Sequence, residues 1–390
     1  MRAAVLALVC AVLGGAAAIG LGLAVGLIGG NSTKTVVVRE LAPPANTPAS
    51  VRTVAPTLAP GFSPAAIFAS RSPGVVTVFS YFGGTAAQGS GFVVSSNGAI
   101  LTNAHVITNA GETNGAVRPA SSVYVEFSDH DRVPARIVGW DVFDDVGVLQ
   151  VAPSAHALVP IPLGRSASVV VGEPVAAIGS PLGNLDTLAV GIVSAVHRSI
   201  AALTNPRFQL SDAIQTDAPI AHGSSGGPLL NARGHAIGIT AQIRTDQGGA
   251  VGIGFAVPID SARRSLKALL TKGHISYAYA GVQTEDLTPS LARHLQLPVQ
   301  HGALVDTVTA DGPAAGAGLR GGTHDEQFQG QTVSAGGDVI VAVDGQPVTG
   351  AADLVRIVTN LRPGQTAIFT VVRASGRRAI PVTLAARSPR

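Results

Sequence analysis

Between Ala65 and Pro258 short apolar runs follow one another at regular spacing: "GVVTVFSYF", "GSGFVVS", "AILTN", "VYVEF", "ARIVGW", "VGVLQV", "PVAAIG", "LAVGIVSAV", "AIQTDA", "HAIGITAQI" and "GIGFAVP". Gly, Pro, Asn and Asp separate them. About a dozen short strands punctuated in this way specify an all-β sandwich or a pair of barrels. "SSNGA", Ser95 to Ala99, supplies an Asn-Gly hairpin turn between two of them. Composition agrees: 47 Gly and 25 Pro with only 4% aromatic residues favour strands and turns over a helical bundle. With 46% hydrophobic and 13% charged residues the chain can bury a sizeable core, so global disorder is excluded.

The β-rich region closes with a helix. Asp260 is placed to cap it, Ala262, Leu266, Leu269 and Leu270 form its apolar stripe, and Gly273 stops it. From Tyr279 to about Ala386 the pattern changes to a small α+β domain. Its strands are "GALVDTV", "DVIVAVDG", "AIFTVVR" and "AIPVTLA", its helices run from Pro313 to Leu319 and from Ala351 to Asn360, and Asp344-Gly345 makes a hairpin turn. At the other end, Ala3 to Gly30 carries no charged residue, a stretch longer than the ~20 residues that span a bilayer. It predicts a transmembrane helix over residues 1–30, the alternative being a signal peptide cleaved near Ala16-Ala17-Ala18. Pro43, Pro44, Pro48, Pro56, Pro60 and Pro64 make residues 31–64 an extended linker. The two folded domains then occupy 65–273 and 278–388. A single cysteine, Cys10, excludes an intramolecular disulfide, and a net charge of +3 without clustered Lys and Arg excludes a nucleic-acid binder.

The residues that carry chemistry begin with Gly223-Ser224-Ser225-Gly226-Gly227. A serine among glycines lets the backbone approach a substrate carbonyl and lets consecutive N–H groups converge on an oxyanion. Ser225 is the candidate nucleophile. A serine hydroxyl needs a general base, and the base needs a carboxylate to hold its tautomer. His105 in "LTNAHVI" ends one strand and Asp145 in "DDVGVLQV" precedes another, with Asp144 and Asp141 competing for the same role. The order His, Asp, Ser within one all-β domain is that of the trypsin-like arrangement.

"TNAHV", "DVGVLQV", "AIGSPLG", "VGIVSAV", "IQTDAPIAHGSSGGPLLN" and "GIGFAVP" resemble successive blocks of the HtrA/Deg family of trypsin-like serine proteases, over almost the whole β-rich domain. "YAGVQTEDL", "GALVDTVTADGPAAGAGLRGG" and "GGDVIVAVDGQPV" are similar to the single PDZ domain that follows such a protease. The resemblance implies a mainly β chain: a trypsin-like double β-barrel, then a small α+β PDZ domain, with an N-terminal transmembrane helix. It implies His105 as general base, Asp145 as orienting carboxylate and Ser225 as nucleophile. The N–H groups of Gly223 and Ser225 would form the oxyanion hole with that of Ser224 nearby. Two departures stand out: the family has Asn where this chain has Ser224, and Pro or Arg near His222, which here could add pH sensitivity. In the PDZ domain, Tyr279-Ala280-Gly281-Val282 is assigned to the turn that captures a peptide carboxylate. The segment Arg320 to Gly337 is longer than the family minimum and reads as an extra surface hairpin.

The resemblance further implies a membrane-tethered serine endopeptidase acting on unfolded or signalling proteins outside the cytoplasm, with peptides bound at the PDZ domain and a homotrimer joined near Phe68, Phe79, Tyr81 and Phe82. The alternative is a non-catalytic, chaperone-like peptide-binding scaffold. In the trypsin-like arrangement that the resemblance implies, the floor of the specificity pocket lies six residues before the nucleophile, at Pro219, where no carboxylate would attract Lys or Arg, so a preference for small or medium apolar side chains is expected. Asp217 beside it is read as a structural acid. No cofactor is expected, and no metal, since His105, His197 and His222 show no ligand spacing. Only Lys272 to Ala278 separates the helix from the PDZ turn, too short for a freely swinging domain, so the PDZ is expected to regulate the protease through the Gly-rich segments Ala221 to Gly227 and Asp246 to Gly254.

Overall fold

The computed structural model describes residues 61–111, 116–180, 187–201, 209–221, 223–241, 253–373 and 376–387. The expected membrane span, most of the linker, His222 and nearly all of Asp246 to Gly254 lie outside the described residues. Among the described residues, no helix is long and apolar enough to cross a membrane.

The first six strands are β1 (Val75–Phe82), β2 (Thr85–Val93), β3 (Ala99–Thr102), β4 (Ser122–Glu126), β5 (Arg132–Asp141) and β6 (Val146–Gln150). They close into a barrel in the order β1-β2-β3-β6-β5-β4. The next six are β7 (Pro174–Gly179), β8 (Thr187–Ala201), β9 (Gln209–Thr216), β10 (Pro228–Leu230), β11 (Ala236–Ala241) and β12 (Gly254–Pro258), closed in the order β10-β11-β12-β9-β8-β7. Successive side chains on a strand point to opposite faces. Val76, Val78, Ile100 and Leu149 therefore fill the first barrel, while their neighbours Val75, Leu101 and Val148 face outward into a core shared with Ile178, Leu230 and Ile239 of the second. Burial on both faces is why these strands are continuous apolar runs rather than alternating ones. The turn at Ser95 to Gly98 forms as expected, with Gly98 at φ +90° and its N–H donating to Ser95 O at 3.1 Å.

Helix α1 (Pro64–Arg71) opens the domain, α2 (Ala104–Ile107) follows β3, and α3 (Ile259–Lys272) closes the domain by packing on the shared core through Ile259, Ala262 and Leu269. Two expectations for α3 are corrected. Asp260 is not its cap, because the helix already begins at Ile259. Its carboxylate instead accepts from Ser166 Oγ and Ala167 N–H, both at 3.0 Å, and pairs with Arg263. Leu270 is 49% exposed, since at about 100° per residue it turns away from Leu269 toward solvent. Gly273, at φ +74°, does end the helix.

The second domain starts with β13 (Tyr277–Tyr279), β14 (Val282–Leu287) and helix α4 (Pro289–His294), continues through β15 (Gly302–Val308), α5 (Pro313–Ala317), β16 (His324–Phe328), β17 (Gln331–Ala335), β18 (Val339–Val343) and β19 (Gln346–Pro347), and ends with α6 (Ala351–Asn360), β20 (Thr366–Arg373), β21 (Gly376–Thr383) and β22 (Ala385–Arg387). The main sheet runs β14-β15-β18-β20-β21, with β19 beside β18. Strands β13 and β22 pair separately and bring the two ends of the domain together. Helix α5 is two residues shorter than expected because Gly318 turns left-handed at φ +85°. Helix α4 was not anticipated, although Thr288 caps it at Leu291 N–H and Pro289 opens it. The segment from Arg320 to Gly337 contains the expected hairpin, β16–β17, which packs Val333 and Phe328 against Leu291 and Leu287.

Candidate active site

Strands β3 and β6 of the first barrel, with the short helix α2 that carries His105, bring a histidine and a carboxylate together. β3 pairs with β6, placing Thr102 opposite Gly147, so the chain leaving β3 and the chain entering β6 run side by side. Asn103 ties them: its Nδ2 donates to Asp145 O at 2.8 Å. A Cβ on Gly147 would lie 2.8 Å from Asn103 O, so a side chain there would pry the two segments apart. Asp145 takes φ +50°, a left-handed conformation for a non-glycine residue that tolerates it better than most. Its Oδ1 accepts the His105 main-chain N–H at 3.1 Å and its Oδ2 meets His105 Nδ1 at 2.8 Å. A carboxylate only accepts, so Nδ1 carries the proton and Nε2 is left as the basic nitrogen. Burial acts to lower the His105 pKa, but the charge and hydrogen bond of Asp145 outweigh it and leave it raised above the usual 6.5.

The competing acids are engaged elsewhere. Asp144 pairs with Arg264 at 2.8 Å. Asp141 is buried and accepts from Ser265 Oγ at 2.6 Å and from the Tyr277 hydroxyl at 2.5 Å.

Ser225 is held at the junction of the barrels. Ser90 on β2 donates its N–H to Ser225 O and its hydroxyl to Gly223 O, both at 2.7 Å. Ser180 N–H donates to Ser90 Oγ at 3.0 Å. Thr240 Oγ1 donates to Ser224 O at 2.6 Å. These bonds fix the carbonyls of Gly223, Ser224 and Ser225. In a trans peptide the N–H points opposite to the carbonyl, so holding Ser224 O against Thr240 directs the Ser225 N–H the other way. The Ser224 N–H, expected near the oxyanion, is turned into the loop and donates to Ala221 O at 3.0 Å. Gly223 at φ +96° and Gly226 at φ +94° are the hinges that make this turn possible. At Gly226 a Cβ would stand 2.0 Å from Ser90 O. Asp217 Oδ1 accepts Ile192 N–H at 2.6 Å, a structural role as expected.

In the second domain Gly281 is left-handed at φ +81°. Ala280 O accepts Ala314 N–H at 2.8 Å and Gly281 O accepts Thr309 N–H at 2.9 Å. By the same peptide geometry the N–H groups of Gly281 and Val282 face away from those partners. Val282 begins β14, an edge strand paired with β15. The far end of β14 is tied to α6, where Asp286 Oδ1 accepts Ala351 N–H at 2.7 Å.

Residues 89–239 match the trypsin-like peptidase domain family and residues 278–384 the PDZ domain family. A probable periplasmic DegP-like serine endoprotease of Pseudomonas fluorescens is 37% identical over 298 residues, 76% of this chain and 56% of that protein. The corresponding protein of Pseudomonas savastanoi is 38% identical over 302 residues, 77% of this chain and 56% of that one. The chain thus spans little more than half the length of these curated relatives. Among solved structures, the HtrA-type protease AlgW with a tripeptide is 32% identical with a TM-score of 0.68, covering 84% of this chain and 98% of that one. A serine endoprotease from Yersinia pestis is 28% identical with a TM-score of 0.58, covering 84% and 98%. Two closed barrels, the PDZ domain that follows them in the chain and a likeness to AlgW over 84% of this chain place it in the HtrA protease family, with a trypsin-like peptidase domain followed by one PDZ domain.

Proposed function

We propose that the protein is a serine endopeptidase in which Ser225 attacks the scissile carbonyl, His105 is the base and Asp145 its orienting carboxylate. The observation that carries this is the two-point contact of Asp145 with His105, which leaves Nε2 unprotonated. Nε2 takes the Ser225 hydroxyl proton as Oγ bonds to the carbonyl carbon, and the imidazolium that forms is stabilised by Asp145. The same proton then passes to the departing amine as the C–N bond breaks, leaving an acyl-enzyme. Water deacylates it by the same route in reverse. The N–H groups of Gly223 and Ser225 are the donors for the oxyanion. Ser224 serves by holding the loop, because its own N–H is committed to Ala221.

The substrates are polypeptides with small or medium apolar side chains at the cleavage site, a class exposed in unfolded proteins, in keeping with Pro219 at the pocket floor. The relatives are named periplasmic, which favours an extracytoplasmic site of action for this chain; a tether in residues 1–30 rests on the uncharged run from Ala3 to Gly30, and a homotrimer on the family resemblance. Two solved structures of AlgW carry a tripeptide and a decapeptide. For this PDZ domain we assign C-terminal peptides, bound by strand addition to β14 with the carboxylate at Tyr279 to Val282, and regulation of the protease by that binding. Labelling with an active-site-directed fluorophosphonate tests the catalytic assignment: Ser225→Ala abolishes both labelling and peptide cleavage, and persistence of either removes Ser225 from its role.

A further inference from the structure

The short loop that presents Asp145 is gripped from behind by the second domain. Asp141, fully buried at the end of β5, receives four donors: Phe143 N–H at 3.1 Å and Asp144 N–H at 3.4 Å on Oδ1, with Ser265 Oγ at 2.6 Å and Tyr277 OH at 2.5 Å on Oδ2. The first two bonds shape the loop that ends in Asp145. The other two come from α3 and from β13, the first strand of the PDZ domain. More of that domain closes around the same loop. The Tyr277 ring stands edge-on to Phe143 at 5.1 Å, and the Arg387 guanidinium of β22 lies over both Phe143 and Tyr279. Arg264 of α3 links Asp144 to Asn360 at the end of α6. Tyr279, two residues along β13 from Tyr277, begins the turn assigned to the peptide carboxylate.

We propose that Asp141 is a positioning residue for Asp145, and that the Tyr277 hydroxyl is the contact through which the PDZ domain sets it. The inference rests on the catalytic and regulatory reading above and names the route by which that regulation reaches the triad. A left-handed Asp145 persists only where its surroundings over-determine it, and the Asp141 clasp supplies that constraint. Burial and the neighbouring charge of Asp144 push the Asp141 carboxyl up to about 6, against the pull of the Ser265 and Tyr277 hydroxyls. Losing the Tyr277 donor from Oδ2 favours the neutral acid, whose proton sits on that vacated oxygen and whose Oδ1 then accepts more weakly than a carboxylate oxygen does. The bond most easily surrendered is the long one to Asp144 N–H, next to Asp145 itself. The charged and titratable groups around Asp141 are Asp144 on its own loop, Arg264 on α3, Tyr277 on β13 and Arg387 on β22.

The test is steady-state cleavage of an apolar peptide by the full chain, normalised to fluorophosphonate-titrated sites, for Tyr277→Phe, Asp141→Asn and the double variant. Tyr277→Phe keeps the ring against Phe143. It is expected to lower kcat about tenfold, the effect of one hydrogen bond to a charged group, with KM within about twofold. The acidic limb of the kcat/KM profile moves to lower pH, because a less well held Asp145 raises His105 less. Asp141→Asn still offers an acceptor to the two loop N–H groups, and in that background Tyr277→Phe has little further effect. An unchanged kcat in Tyr277→Phe, or losses that multiply independently in the double variant, overturns the proposal. Cleavage that survives Ser225→Ala overturns the underlying triad instead, so the two failures are distinguishable.

Discussion

Asp145→Asn isolates what the carboxylate does for His105. The native side chain accepts at both oxygens, from the His105 main-chain N–H at 3.1 Å and from Nδ1–H at 2.8 Å. An amide has one accepting and one donating end. The main-chain N–H can only donate, so it claims the amide oxygen, and the amide NH2 then faces Nδ1. The ring answers by moving its proton to Nε2, the atom that must receive the Ser225 proton. Restoring the reactive tautomer sets donor against donor at that contact and leaves two donors, Nδ1–H and the amide NH2, without acceptors in a site where the Asp145 side chain is only 6% exposed. Each unsatisfied buried group costs about 1–3 kcal/mol, so the penalty is about 2–6 kcal/mol. At about 1.4 kcal/mol per factor of ten this lowers kcat roughly thirty- to twenty-thousandfold, and the equivalent change in the serine-protease template costs about ten-thousandfold. Progress curves with an internally quenched apolar peptide, alongside circular dichroism to establish an intact fold, measure it. A kcat within about tenfold of the parent would falsify the tautomer reasoning and return the role to Asp144 or Asp141.

Gly226→Ala places a Cβ 2.0 Å from Ser90 O and 2.5 Å from Thr102 Oγ1 at φ +94°. Left-handed strain of about 1–2 kcal/mol and loss of the buried Thr102–Ser90 bond, about 1–3 kcal/mol, predict destabilisation of about 2–5 kcal/mol in urea unfolding; an unchanged midpoint contradicts it. The raised His105 pKa has opposite consequences for activity and stability. Cleavage needs neutral Nε2, so kcat/KM rises as pH climbs through a folded-state value above 6.5. The stability contributed by the His105–Asp145 pair is fully present below the unfolded value near 6.5 and is lost as pH rises through the folded one. Parallel pH–rate and pH–denaturation curves check the pairing, and curves that move together argue against it. A peptide with a free apolar C-terminus is expected to raise cleavage of an unrelated substrate, and its C-terminal amide to do much less, because the N–H groups around Gly281 select a carboxylate. Equal responses to the two peptides point to a different seat for the ligand.

Much of the site was legible because its signals are local. Glycines on either side of Ser225 mark a turn that only left-handed residues make, and Gly223 and Gly226 take that conformation. The Asp344-Gly345 turn forms with φ +48° and +77° for the same steric reason, and strand spacing narrowed the first domain to a sandwich or a pair of barrels. The partnership of His105 with Asp145 rather than Asp144 or Asp141 was legible only through the family resemblance, not from the local pattern of the three acids. All three acids sit within five residues of one another, and the choice depends on the β3–β6 register, on Asn103 reaching Asp145 O and on the sign of one φ angle. Asp260 shows the same limit: its position looks like a cap, yet its oxygens serve Ser166 and Ala167, more than ninety residues away. The Tyr277–Asp141 bond crosses 136 positions of the chain, and nothing in the neighbours of either residue announces it. Backbone sterics act between adjacent residues and so leave their mark in short motifs, whereas the partner of a buried polar side chain is whichever donor or acceptor the packed elements bring within about 3 Å, and only the folded arrangement decides that.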